Sequence, residues 1–162
     1  MTGLDAVNYL AKYLNDHWAG SAAGRRLTRR LAIENQQTSW ADELSEIASE
    51  VEEDRRSLRA IRSALGIEGG AWKSAMAVGI ELLAELKMKV TGYSALSRVD
   101  ELEALLAGVS SKRGLWVSLQ ACVPNHTALA GFDLGELEQR AARQIERLRV
   151  IHAEAAALAF NE

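Results

Sequence analysis

The stretch Thr38–Leu65, TSWADELSEIASEVEEDRRSLRAIRSAL, decides the fold class. Laid on the alternating three-and-four spacing that faces a partner in a helical bundle, it reads Trp40, Leu44, Ile47, Val51, Asp54, Leu58, Ile61 and Leu65. Seven of these eight positions are apolar, and the eighth, near the middle, is a carboxylate. Thr38 and Ser39 offer caps at the start, and Gly66, ahead of the flexible pair Gly69 and Gly70, stops the run. The spacing predicts a long amphipathic helix over 39–65.

Working outward, the same periodicity and punctuation predict helices over 4–35, 71–90, 97–122 and 133–160. Ser97 with Asp100 starts the fourth, which must stop by Pro124, and Asp133 with Glu136 forms a capping box for the fifth. Pro124 to Phe132 is the only long connection and reads as loop. With Pro124 the sole proline and no strand pattern anywhere, the fold class is all-α. Each of the four long segments spans about 40 Å at 1.5 Å per residue. The third is shorter, and its middle, Ser74 to Leu86, is apolar on most sides, as in a helix covered by others. It is not a membrane span, because Lys73, Glu81, Glu85, Lys87 and Lys89 break any apolar run near ~20 residues.

Composition narrows the function classes. The chain has 162 residues, 48% apolar and 25% charged, which suits one folded domain over 1–162, and no repeat or low-complexity stretch divides it. Nineteen Lys and Arg against twenty-two Asp and Glu leave a net charge of −3, so neither nucleic acid nor an anionic membrane is an expected partner. The single Cys122 excludes an intramolecular disulfide and a cysteine-only zinc site and reads as a small core hydrophobe. With no recognisable leader, the expected location is the reducing cytoplasm. No glycine-rich phosphate loop occurs.

The other long segments carry the same interrupted seam. The first reads Val7, Leu10, Leu14, His17, Ser21, Gly24, Thr28, Leu31; the fourth Leu102, Leu105, Val109, Lys112, Trp116, Leu119, Val123; the fifth Leu134, Leu137, Ala141, Gln144, Leu148, Ile151, Ala155, Leu158. His17, Asp54, Lys112 and Gln144 all fall near their helix midpoints, so antiparallel packing predicts a central polar layer. A carboxylate there needs a partner, since isolated charges in a low-dielectric interior neutralise or pair. Lys112 or protonated His17 can supply the cation, Gln144 can donate or accept, Glu50 lines the same space one turn before Asp54, and Arg113 replaces Lys112 if the register slips by one.

Two long helices, a linking segment and two more long helices resemble the ferritin-like superfamily. That resemblance implies an antiparallel four-helix bundle with a fifth helix, 71–90, in the crossover; a plain up-and-down five-helix bundle is the alternative. It also implies metals held in the central layer by inward carboxylates and histidines, and homodimers formed through helix faces. The family's Glu-x-x-His motif is missing: Leu14, Val123 and Arg149 stand three residues before His17, His126 and His152. In the second helix pair Lys112 and Gln144 occupy the level of the ligands, and an ammonium repels a dication. His126 in the loop reads as solvated, and His152 as the edge of the fifth helix.

The expectation is therefore a protein without a standard di-iron centre and without a cofactor, whose layer is structural or holds a small ligand that the sequence does not name. No reaction is legible. A metal alternative takes iron or manganese on His17, Glu50, Asp54 and Glu103, as a metal-binding protein or metal-dependent oxidoreductase. A third alternative is a helical interaction module with an apolar patch around Trp18 or Trp72; Trp40 and Trp116 lie on seams and read as core. Ser21, one turn after His17, permits a Ser–His pair, but small polar residues at helix contacts are common. The basic strips Arg25, Arg26, Arg29, Arg30 and Arg55, Arg56, Arg59, Arg62 read as salt-bridged surface, the first near Asp42, Glu43 and Glu46.

Overall fold

Every regular element of the computed structural model is helical among the residues it describes, 3–67 and 93–161. These are α1 (Gly3–Glu34), α2 (Ala41–Ala64), α3 (Ala95–Cys122) and α4 (Leu134–Phe160), with two short 3-10 turns, Val123–Asn125 and Thr127–Gly131, before α4. Their limits fall within two residues of those read from periodicity. The expected helix 71–90, and Trp72 within it, lie outside the described residues.

The local signals act at slightly different places from those expected. At the start of α2 the cap position belongs to Trp40, which makes no side-chain cap. Thr38 instead closes the preceding turn, its hydroxyl donating to the Asn35 carbonyl at 2.8 Å. The reason is anchoring: Trp40 is 7% exposed and its indole N–H donates to Glu154 at 2.5 Å, which sets where the chain enters the helix. At α3 the cap is Ser94, accepting from the Ser97 amide at 3.1 Å, so the helix starts before Ser97. Asp133 caps α4 through the Glu136 amide at 2.9 Å. At the end of α2, Gly66 takes φ +67° while the Ile67 amide reaches back to Arg62 and the Gly66 amide to Ser63. That paired closure requires a left-handed residue, which glycine adopts without a Cβ clash.

Side-chain pairs fix the directions of the helices. Asn15 meets Arg62 and Ser21 meets Arg55, so α1 and α2 are antiparallel. Tyr13 meets Ser118 and Arg30 meets Glu101, so α1 and α3 are antiparallel. Arg113 with Glu138 and Glu103 with His152 oppose α3 to α4, and Trp40 with Glu154 and Asp54 with Arg140 oppose α2 to α4. Consequently α2 and α3 run the same way, and Ile67 and Tyr93 lie at opposite ends of the bundle.

Most seam positions form the core, but Leu158, at the end of the last seam, is 51% exposed, and Leu115 and Ile145, off the seams, are buried. Leu14, Leu31, Leu44, Ile47, Ile61, Leu102, Trp116, Leu119 and Leu148 are almost completely buried, and each such side chain contributes about 1.5–3 kcal/mol on leaving water. Leu129, from the second 3-10 turn, closes one end. The packing is uneven. Contact is most extensive between α3 and α4 and next between α1 and α2, whereas the backbones of α2 and α4 approach at few points. Long charged side chains bridge that wider gap.

Candidate functional site

Three of the four expected layer residues meet in the middle of the bundle. Asp54, 2% exposed, sits on the seam of α2. Its Oδ2 accepts from the Lys112 ammonium of α3 and, at 3.3 Å, from the Gln144 amide of α4. Lys112 also donates to Gln144 Oε1 at 2.5 Å. Gln144, fully buried, gives its amide hydrogens to Asp54 and, at 2.9 Å, to Glu50, so both its oxygen and its nitrogen are engaged. Asp54 Oδ1 receives Nε and Nη2 of Arg140, at 2.8 and 2.5 Å.

The network then runs along the α2–α4 seam. Arg140 extends to Glu53 at 3.1 Å. Arg147 donates to Glu50 at 2.7 Å, to Glu46 at 3.2 Å and to Glu43. Burial of Arg147 opposes its charge, yet the hydrogen bonds it donates to Glu50 and Glu43 outweigh this and raise the guanidinium above the usual arginine range. Lys112 shows the reverse balance: burial holds its ammonium below the usual lysine range, and Asp54 only partly offsets this. Asp54 is thus surrounded by donors on both oxygens, with no lone pair directed at open space. A shallow groove of about 760 Å³ runs along the outer side of α3 and α4 past Arg113, Gly114, Val117, Ile145 and Arg149, and none of Asp54, Lys112 and Gln144 lines it.

His17 is not brought into this layer. At its level the α1 residue against α2 is Trp18, whose ring lies under Arg55. His17, one residue round the helix, packs edge-on to Tyr13 with ring centroids 4.6 Å apart. Burial lowers its imidazole below the usual histidine range, against the pull of Asp16. Arg113 turns outward to Glu138 at 2.5 Å, and Glu103, exposed, meets His152 at 3.1 Å. The set His17, Glu50, Asp54 and Glu103 therefore does not converge, and among the described residues no group of three His, Cys, Asp or Glu is placed to hold a metal. Ser21 donates to the Trp18 carbonyl at 2.6 Å and accepts from Arg55.

Periodicity missed the two arginines that complete the layer. Arg140 and Arg147 lie four residues before and three after Gln144, hence on the same face, and that spacing was the available signal. It also missed a second buried carboxylate, Glu101, 3% exposed, whose Oε1 meets Arg30 at 3.1 Å while Oε2 has no partner. Nearby, fully buried Asn35 donates to the Leu31 carbonyl and to the Tyr93 hydroxyl and accepts from Arg98 at 2.5 Å.

The surface pairing also differs from expectation. Glu43 and Glu46 are taken by Arg147, across the bundle from α1, so they do not serve the α1 arginines. Trp18 is half-buried beneath guanidiniums and forms no bare apolar patch. Among the described residues, no helix is long and apolar enough to cross a membrane. No family model, curated protein or solved structure matches the chain.

Proposed function

We propose that this protein is a divergent ferritin-like bundle in which a buried charge network takes the place of a metal centre, and that its central layer is structural, not catalytic. The order of directions fits the ferritin-like reading, as it also fits an up-and-down five-helix bundle: α1 is opposed to α2 and α3, α4 is opposed to both, and Ile67 and Tyr93 lie at opposite ends of the bundle. The observation that carries the structural reading is the double occupation of Asp54, Lys112 and Gln144 on one oxygen and Arg140 on the other. A metal shell needs carboxylate lone pairs facing a common point, and here cationic donors cover them, so the donor set does not fit iron or manganese.

Such a network fixes which helices neighbour one another and in what register, because each polar atom is satisfied only in one arrangement. Elemental mass spectrometry on protein purified without chelator, and again after iron(II) addition and desalting, tests this. The expected result is iron, manganese and zinc far below one per chain in both preparations. Near-stoichiometric metal that disappears in Asp54→Ala would overturn the reading.

A further inference from the structure

The face formed by α1 and α2 gathers arginines around one tryptophan. Arg55 lies 3.9 Å and Arg62 5.1 Å from the Trp18 ring centre. Neither makes an ion pair among the described residues: Arg55 donates to the Ser21 hydroxyl at 2.5 Å and the Trp18 carbonyl at 3.4 Å, and Arg62 to the Asn15 side-chain oxygen at 2.7 Å. Arg25 approaches its carboxylate, Glu52, only to 3.8 Å. The Nε atoms of Arg25 and Arg62 are buried without an acceptor. Arg59, exposed and unpaired among the described residues, lies between Arg55 and Arg62 on the same helical face, and Arg26 extends the group on α1.

These charges feel one another. Arg55 is held below the usual arginine range first by burial and then by Arg25, with Arg26 and Arg62 adding and Glu52 alone opposing. In a chain of net charge −3, this face is a local inversion of sign. Arg147 engages Glu43, Glu46 and Glu50 on the other side of α2, while Arg55 and Arg62 on this face keep neutral acceptors and Arg25 has Glu52 at 3.8 Å.

We propose that this face binds a compact multivalent phosphate, with Arg25, Arg55, Arg59 and Arg62 as its ligands. Guanidinium forks match phosphate oxygens in pairs; the Nη groups of Arg55 and Arg62 are held only by neutral, displaceable acceptors, and Arg25 only by Glu52 at 3.8 Å. Arg55 to Arg62 spans seven residues, about 10 Å along the helix. That length suits a chain of phosphates better than a single one. A long polyanion is disfavoured by the acidic remainder of the surface. The phosphate chain can be inorganic or the tail of a nucleotide.

Isothermal titration at fixed ionic strength, with tripolyphosphate, ATP and orthophosphate as probes, tests the site. Tripolyphosphate and ATP are expected to bind saturably, one per chain, with orthophosphate at least tenfold weaker. Equal affinities mean that the site reads the phosphate chain alone, and ATP tenfold tighter identifies a nucleotide. Arg55→Gln should weaken binding tenfold or more. Because Arg55 packs on Trp18, Arg59→Gln, at an exposed position, provides the control for folding and should weaken binding several-fold. Arg149→Gln, on α4, should change nothing. The proposal is overturned if no probe binds saturably, if Arg55→Gln and Arg59→Gln bind as tightly as the parent, or if Arg149→Gln weakens binding as much as they do.

Discussion

Asp54 and Glu101 are buried to the same degree, 2% and 3% exposed, and their surroundings differ in almost every other respect. Asp54 sits at mid-bundle with three donors from two other helices covering both oxygens. Glu101, nearer one end, has a single half-exposed arginine on one oxygen and nothing on the other. Burial raises the Glu101 carboxyl above the usual glutamate range, and Glu34 and Asp100 add to this while Arg30 opposes it. Depth alone therefore does not decide what a buried charge does to stability. The number and rigidity of its partners decide it, because desolvation is similar for both and only one recovers it through hydrogen bonds.

The largest test of the contrast is Asp54→Ala. It removes the buried carboxylate that Lys112 and Arg140 share, leaving them only Gln144 and Glu53, and urea unfolding near neutral pH should show a loss of about 3–5 kcal/mol. A loss under ~1 kcal/mol would place Asp54 on the same footing as Glu101 and remove the distinction. Gln144→Leu should come next. It keeps the volume roughly constant but deprives Glu50 and Lys112 of a partner each, at about 1–3 kcal/mol. Retention of full stability would show that the amide only fills space.

The smallest effect is expected at Glu101, and its sign depends on pH. A carboxyl raised in the fold binds its proton more tightly there than in the unfolded chain. Its favourable contribution is complete below the ordinary value of 4.5 and is lost as pH rises through the raised value. Glu101→Gln cannot ionise, so relative to the parent it should gain stability from pH 4.5 upward. At neutral pH the two should differ by about 1 kcal/mol or less, since the half-exposed Arg30 contributes little. Unfolding midpoints measured across that range check it; a steep loss in the variant as pH rises would mean that ionised Glu101 is a net stabilising ion.

The same contrast marks how far the residues could be read without the structure. Asp54 announced itself because it interrupts an otherwise apolar seam, as Lys112 and Gln144 do. Glu101 did not, since it stands beside Leu102, and whether that neighbouring position faces water or a helix depends on how α3 is rotated in the bundle. His17 failed for the same reason in the other direction: it falls on the seam spacing, yet Trp18 takes the position against α2 and His17 turns to Tyr13. Antiparallel packing does set the end of α1 beside the start of α2, but Glu43 and Glu46 face the wider gap toward α4, where Arg147 reaches them.

Legible from the residues alone were the four described helices, their extents to within two residues, most of the apolar seam positions and the presence of buried polar ones. All of these follow from 3.6-residue periodicity and local capping, which are properties of one segment at a time. Which charges meet was set by the packing of the helices: Arg140 and Arg147 on the α2 carboxylates, Glu101 with one partner, and Arg55 and Arg62 with neutral acceptors. An ion pair depends on the rotation and neighbours of two helices distant in sequence, and a turn of one residue, about 100°, is enough to exchange one partner for another.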